Sequence, residues 1–105
     1  MATEPLTAEP AVRDNPAESR YEISLGGRRV GLSSYRLRPG GLVFLHTEIS
    51  PGFEGRGLGG ELARAALADV RARGLKAIPL CPFVAAYIAK HPEERDLVPT
   101  DFLPR

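Results

Sequence analysis

The stretch Glu54-Gly55-Arg56-Gly57-Leu58-Gly59-Gly60, residues 54–60, places four glycines between a strand-like run and a helix-like run. Closely spaced glycines let the backbone turn tightly and approach a ligand. The first turn of a helix has free N–H groups, and the helix dipole adds positive potential there. We therefore expect an anion site, most often a phosphate site, where the strand passes into the helix.

The pattern after this loop predicts a helix, a strand and a second helix. Apolar residues recur every fourth position through residues 59–73, as on one buried helix face, and Gly74 follows as a C-terminal cap. Residues 75–81 read as a strand, although Pro79 cannot donate to a ladder. Pro82 suits the first turn of another helix, and Pro92 ends it.

The residues before the loop predict three strands. Residues 20–25 alternate between polar and apolar, and residues 30–37 and 42–49 follow after glycine-rich turns. The last run is nearly all apolar, which is typical of a central strand covered on both faces. The expected order is β-β-β-α-β-α. This is an α/β (α+β) fold with a mixed, mostly antiparallel sheet and a β-α-β crossover that makes the third and fourth strands parallel neighbours.

Length and composition indicate one ordinary globular domain. The chain has 105 residues, of which 43% are hydrophobic and 26% charged. We expect a flexible lead-in at residues 1–15, with a turn at Arg13-Asp14-Asn15-Pro16, a domain at residues 16–98, and a tail at residues 99–105. The formal charge of +1 argues against nucleic acid as a partner, because phosphate binding at scale needs clustered basic residues.

The chain has a single cysteine, Cys81, which limits the cysteine chemistry that is possible and indicates the cell compartment. It excludes a disulfide within the chain and a zinc cluster built from thiolates. A reduced, cytoplasmic setting fits best. No apolar run approaches the length of a membrane span, and residues 1–15 lack the apolar core of a secretory signal, so we expect no membrane partner.

Two other phosphate-binding motifs compete for the glycine loop. Gly55, Gly57 and Gly60 satisfy the G-x-G-x-x-G fingerprint of dinucleotide-binding folds. That fold expects an acidic residue about twenty positions on, where this chain has Leu80 and Cys81, and it needs two mononucleotide-binding halves. The P-loop requires a Gly-Lys-Ser/Thr ending that is missing here. An NAD-dependent oxidoreductase is therefore a distant alternative.

Several stretches together resemble the small, single-domain subfamily of the GNAT superfamily of N-acetyltransferases, over roughly residues 20–98. They are His46-Thr47-Glu48-Ile49-Ser50-Pro51, the glycine loop, Pro79-Leu80-Cys81-Pro82-Phe83 and Tyr87-Ile88 with His91-Pro92-Glu93. The loop matches the superfamily's Gln/Arg-x-x-Gly-x-Gly/Ala motif, except that Glu54 stands where Gln or Arg is preferred. The helices that normally form much of the acceptor side are missing from this minimal fold.

The resemblance implies an acyl-CoA N-acyltransferase that uses acetyl-CoA or another acyl-CoA as co-substrate and needs no metal. The acceptor would be a small-molecule amine or a protein lysine. The backbone near Glu48 and Ile49 would pair with the pantetheine arm, and the loop would hold the pyrophosphate through residues Glu54, Gly55, Arg56, Gly57, Leu58, Gly59 and Gly60. A non-catalytic acyl-CoA-binding or partner-binding module stays open as the alternative.

Four side chains are candidates for the chemistry. Tyr87 matches the superfamily's helix-borne tyrosine and would give the departing CoA thiolate its proton, or it is a core aromatic at helical spacing. His46 and Glu48 share a strand face, and either one is a candidate base for the amine. A hydrogen-bonded structural histidine is the plainer interpretation of His46. We read His91 mainly as a helix cap.

Cys81 has two interpretations of nearly equal weight. It precedes Pro82 at the expected start of a helix, and such positions favour the thiolate form. A covalent acyl-cysteine route is then open. The plainer interpretation is a small buried residue near the thioester sulfur. The resemblance favours direct transfer, because most GNAT enzymes form no acyl-enzyme.

Overall fold

The computed structural model describes residues 9–102, which form five strands and two α-helices. The elements are β1 (Ala11–Asn15), β2 (Arg20–Leu25), β3 (Arg28–Arg38), β4 (Gly41–Ile49), α1 (Leu58–Ala72), β5 (Lys76–Pro79) and α2 (Pro82–Lys90). Short 3-10 segments follow β1 and α2. Among the described residues, no helix has both the length and the apolar character needed to cross a membrane. The expected lead-in at residues 1–8 and the tail end at residues 103–105 lie outside this range.

The strands form one mixed sheet in the order β1-β2-β3-β4-β5. The first four pair antiparallel, and β4 pairs parallel with β5. Helix α1 connects β4 to β5, as a parallel pair requires. This topology confirms the predicted fold class, a mixed and mostly antiparallel sheet with a β-α-β crossover.

Strand β1 is a correction to the expected element order. We predicted a turn at residues 13–16 and a flexible lead-in up to residue 15, yet residues 11–15 pair with β2 along their whole length. The strand is anchored through contacts distant in sequence. The Tyr35 hydroxyl donates to Asp14 Oδ1 at 2.6 Å, and Val12 packs against the core. Its short run of polar residues hid the alternation that identifies a strand.

The core lies between the sheet and α1, which contacts all five strands. The helix contributes fully buried Leu62, Leu67 and Val70, and the sheet contributes Ile23 and Phe44. The predicted cap at Gly74 is confirmed. Its φ of 69° is left-handed, and the amides of Gly74 and Leu75 bond back to the last helical turn, an arrangement that closes many helices.

The second half of β4 is a further correction, because we expected a central strand covered on both faces, whereas Leu45, His46 and Glu48 are exposed. The outer edge of this half is also open. β5 pairs only with residues 41–44, and the last backbone bond runs from the Cys81 N–H to the Phe44 C=O at 2.8 Å. Leu45 is an unmatched bulge residue, because Tyr35 pairs with Phe44 and Ser34 with His46. Beyond Phe44, the outer edge of β4 therefore has no strand partner among residues 9–102. We call the space between residues 45–49 and the start of α2 the β4 gap.

Candidate functional site

The glycine loop and the turn just before it follow their path because three glycines adopt left-handed backbone angles. Gly52, Gly55 and Gly57 have φ values of 88°, 79° and 76°. Residues other than glycine rarely adopt the left-handed region of φ and ψ. Gly57 is also the N-cap of α1, so the helix begins directly after this left-handed residue.

The first turn of α1 offers backbone donors for an anion. The first intrahelical bond runs from the Glu61 N–H to the Gly57 C=O. The N–H groups of residues 57–60 therefore have no acceptor within the helix, which is the general state of a helix start. The Leu58 side chain is buried in the core and anchors this turn, so only the backbone of Leu58 is available to a ligand.

The charged side chains around the loop favour an anion more than the sequence suggested. Glu54 Oε1 accepts a hydrogen bond from the Gly52 N–H at 3.1 Å, so the carboxylate is occupied within the loop itself. The guanidinium carbons of Arg56 and Arg28 lie 5.0 and 5.1 Å from the centroid of the Phe53 ring. Neither Arg28 nor Phe53 stands out in the sequence as a site residue, because a hairpin distant in sequence brings Arg28 to Phe53.

A groove of about 450 Å³ extends from the loop between α1 and α2, and Gly57, Gly60, Phe83 and Tyr87 are among its lining residues. Burial, followed by Glu94 and Glu93, raises the pKa of the Tyr87 phenol, so this group keeps its proton at neutral pH.

The His91 ring contacts both the ring and the backbone of Tyr87. The two rings stack with centroids 3.9 Å apart and an interplanar angle of 15°. His91 is the C-cap residue of α2, and its Nδ1 lies 2.7 Å from the Tyr87 carbonyl oxygen, so the ring N–H donates there. This confirms the predicted role of His91 as a cap.

The Phe83 ring packs directly on the first turn of α1. A Cβ atom added to Gly59 would lie 2.5 Å from Phe83 Cζ. Gly59 therefore serves helix packing as well as the loop motif. This contact brings the start of α2 against the start of α1, beside the groove.

His46 and Glu48 form a pair on the exposed side of β4, which confirms that they share a face. His46 Nε2 lies 3.1 Å from Glu48 Oε2, and the two side chains are 62% and 59% exposed. An exposed pair of this kind adds little stability. A polar cavity of about 330 Å³ adjoins Glu48 and is also lined by Arg29, Ile49 and Ser50.

Cys81 lies on the other side of β4, at the end of a chain of hydroxyl groups. Its side chain is 1% exposed, and its Sγ lies 3.3 Å from Thr47 Oγ1. Thr47 Oγ1 is in turn 2.9 Å from Ser33 Oγ. Neither Thr47 nor Ser33 was predicted as a candidate site residue from the sequence. Strand alternation, which puts Thr47 on the face opposite His46 and Glu48, was the signal that could have found Thr47.

The candidate residues thus fall into three places around β4 and α1. The loop and Tyr87 share the groove, Cys81 joins Thr47 at the β4 gap, and His46 with Glu48 lies on the exposed side. The chemical role of each stays a prediction. Residues 9–102 contain no group of three or more His, Cys, Asp or Glu side chains that could hold a metal ion.

A protein family matches most of the chain. A family described as GCN5-related N-acetyl-transferase matches residues 20–97, from the start of β2 to the end of the 3-10 segment after α2. The match includes the glycine loop, the β4 gap and the groove. No curated protein matches the chain significantly.

Proposed function

Because the chain belongs to the GCN5-related N-acetyltransferase family, we propose that it transfers an acetyl or short acyl group from acyl-CoA to an amine. The observation that carries this proposal is the position of the glycine loop. The loop ends at the start of α1, where backbone donors and the helix dipole favour a diphosphate. Two guanidinium groups, those of Arg28 and Arg56, lie over the Phe53 ring just before the loop and add positive charge to this region. The unpaired edge of β4 leads to the same place.

The pantetheine arm would extend the sheet at the β4 gap. Residues 45–49 have no strand partner on this side among the described residues, so their outer amide and carbonyl groups are available to the amides of pantetheine. A backbone N–H near Ile49 or Glu48 would then polarise the thioester carbonyl, since preorganised donors stabilise the oxyanion of acyl transfer.

The acceptor amine needs a base, and His46 is well arranged for that role. If its Nε2–H donates to Glu48, Nδ1 is left to accept a proton from the amine. Glu48 would orient the ring and attract a cationic amine into the adjoining cavity. Tyr87, protonated at neutral pH, is a candidate acid for the departing CoA sulfur.

Direct transfer in a ternary complex suits the surroundings of Cys81 better than an acyl-enzyme does. A nucleophilic sulfur must approach the thioester carbon to about 3–3.5 Å, along an open line of attack. The Cys81 side chain is almost completely buried, and its sulfur already lies at hydrogen-bond distance from Thr47. A small side chain beside the thioester is consistent with direct attack by the amine.

Release of free thiol from acetyl-CoA tests the proposal. We expect little release from the protein and acetyl-CoA alone, and a marked increase with at least one member of a panel containing polyamines, small primary amines and lysine peptides. Mass spectrometry of the amine should show one added acetyl group. Binding of acetyl-CoA without amine-dependent release would instead favour the non-catalytic module.

We further propose that the protein works in the cytoplasm and without a metal. The single cysteine, which suits a reducing compartment, supports the first statement. Acyl transfer from a thioester supports the second, because the step needs only positioning, proton transfer and oxyanion donors.

A further inference from the structure

The cavity beside Glu48 is lined by side chains of both charges. Arg29 of β3 and Glu48 of β4 border the same space of about 330 Å³. Within residues 9–102 they do not pair with each other, because Arg29 lies beside Glu22 and Glu48 lies beside His46. A positive and a negative group therefore border one cavity without neutralising each other.

The pairing of three strands explains how these charges come together. Leu32 on β3 is the cross-strand partner of Glu22 on β2 and of Glu48 on β4, so the three side chains form a row across the sheet. Alternation along β2 places this row on the face opposite the fully buried Ile23. The half-buried Leu32 side chain separates the two carboxylates and gives the cavity an apolar wall.

Glu22 keeps Arg29 at the cavity but leaves its donors available. Glu22 Oε2 accepts hydrogen bonds from Arg20 Nε at 2.8 Å and from Asn15 Nδ2 at 3.0 Å. These bonds, the one from Arg20 first, lower the pKa of the Glu22 carboxyl. Arg29 Nη1 lies 3.6 Å from the same oxygen, which is beyond hydrogen-bond distance. The Arg29 side chain is 48% exposed, so its N–H groups can bind an anion that enters the cavity.

We propose that the acceptor is a free amino acid, whose amine lies at the His46–Glu48 pair and whose carboxylate is bound by Arg29. This inference rests on the proposed function and names the class of its acceptor. Glu48 would attract the ammonium form of the amine, and the planar guanidinium of Arg29 would bind the carboxylate through two parallel hydrogen bonds. The volume of the cavity suits a small molecule, since ligand sites begin at about 300 Å³.

An amine without a carboxylate fits the same cavity less well. A polyamine or a lysine side chain brings positive charge alone, which Glu48 attracts and Arg29 repels. The zwitterion of an amino acid has one partner for each of its charges. Arg29 is therefore a specificity-determining residue, because it binds a part of the acceptor that takes no part in the reaction.

The transfer to an amino acid is balanced. The ammonium first gives one proton to His46 Nδ1, and the neutral nitrogen then bonds to the acyl carbon. The carbon–sulfur bond breaks, and its electron pair goes to the CoA sulfur, which takes up a proton. The nitrogen loses its second proton as the amide forms. Of the two protons that leave the nitrogen, one balances the CoA thiol and the other is released to water.

Thiol release with matched acceptor pairs tests this inference. L-alanine, L-leucine and L-methionine are each compared with the corresponding amide, which has the same side chain and amine but no carboxylate. We expect kcat/KM to be about tenfold higher for the acid of the preferred pair, the effect of a charge-assisted hydrogen bond. The amine of the amide is the less basic of the two, so a preference for the acid cannot come from a larger fraction of neutral amine.

Arg29→Gln removes the guanidinium and should remove this preference. We expect kcat/KM for the amino acid to fall about tenfold, whereas kcat/KM for its amide and KM for acetyl-CoA should stay unchanged. Arg36→Gln is the matched control, because Arg36 is an arginine of the same strand that does not line the cavity. It loses the same charge and should keep the wild-type ratio of acid to amide. Both side chains are exposed, so we expect both variants to fold.

Three results would overturn the inference while leaving the proposed function intact. The first is a wild type that uses polyamines, lysine peptides or the amides as well as it uses the best amino acid. The second is an Arg29→Gln variant that keeps the wild-type ratio of acid to amide. The third is an equal loss of that ratio in Arg36→Gln, which would indicate general charge rather than binding by Arg29. A wild type that releases thiol with none of these amines would overturn the proposed function and the inference together.

Discussion

At the scale of a single residue, Gly57 is the position of the site where the requirements on the residue type are strictest. It must adopt a left-handed conformation, cap α1, and leave its backbone open to a phosphate. No atom lies within 4 Å of where its Cβ would be, so a side chain would project into the space that a ligand needs rather than into the protein. The cost of substitution to the fold is then mainly backbone strain.

We expect Gly57→Val to remove CoA binding while the chain stays folded. Strain at a left-handed position costs about 1–2 kcal/mol. A hundredfold excess of CoA over Kd stabilises the wild type by about 2.7 kcal/mol, which for a domain of this size raises Tm on the order of 10 °C. Gly57→Val should show no such rise in a thermal melt.

Gly40→Val is the matched control for this experiment. Gly40 has a φ of 73° and equally open space around its Cβ position, but it lies in the turn between β3 and β4. The variant should lose similar stability and keep the full CoA-dependent rise in Tm. Equal rises in both variants would show that the phosphate site lies elsewhere.

The start of α1 shows how one element combines packing with function. Gly59 and Gly60 are consecutive residues of the first turn, yet their surroundings differ. A Cβ at Gly59 would meet the Phe83 ring, whereas a Cβ at Gly60 would meet nothing within 4 Å. The absence of a side chain at Gly59 therefore lets α2 pack closely on α1. At Gly60 the packing does not require a glycine.

Alanine at these two positions should therefore have opposite effects on stability. Gly60→Ala should be neutral or more stable by about 0.5 kcal/mol, because alanine favours a helix. Gly59→Ala should be less stable than Gly60→Ala by about 1–2 kcal/mol, the range of an overpacked contact. Urea unfolding measures both. In a Phe83→Ala background the Gly59→Ala penalty should disappear, and a penalty that persists would contradict the packing account.

Two tyrosine–aspartate hydrogen bonds tie the elements of the fold together, since Tyr35 joins β3 to Asp14 of β1 and Tyr21 joins β2 to Asp69 of α1. Burial, followed by a hydrogen bond to Asp14, raises the pKa of Tyr35 to about 12 from an ordinary 10.0. Burial and the bond to Asp69 also raise the pKa of Tyr21. The folded state holds both protons more tightly than the unfolded chain, so their contribution is complete below pH 10 and is lost as pH rises through the folded pKa values.

The free energy of unfolding should therefore fall as the pH rises from about 10 through about 12. Tyr35→Phe removes one of the two raised groups and one hydrogen bond. It should be less stable than the wild type by about 1 kcal/mol at neutral pH, with a shallower decline at alkaline pH. Urea unfolding at several pH values measures the difference. Parallel curves for the two proteins would contradict the role of Tyr35.

At the scale of the whole molecule, local patterns predicted most of the architecture. The strand at residues 20–25 and both helices follow from alternation, fourfold spacing and prolines, which act within a few neighbouring residues. The glycine loop and the shared face of His46 and Glu48 are local in the same sense. Contacts between distant residues were not accessible in this way.

Three features depend on such distant contacts. Strand β1 is held by Tyr35, twenty-one residues from Asp14. Thr47 and Cys81 are thirty-four residues apart, and Ser33 and Thr47 are fourteen apart. The open outer edge of residues 45–49 depends on where β5 stops pairing with β4. The apolar run of β4 alone does not reveal this point. Pairing at a distance, rather than propensity, is the information that one sequence lacks.

Calorimetric titration with CoA and with acetyl-CoA tests the central claim most directly, because every proposed step requires the diphosphate to bind on the glycine loop. We predict a single site per chain for both ligands, with an affinity that falls as salt rises, since charge contributes to the binding of a diphosphate. Absence of heat from either ligand at millimolar concentration would contradict the account.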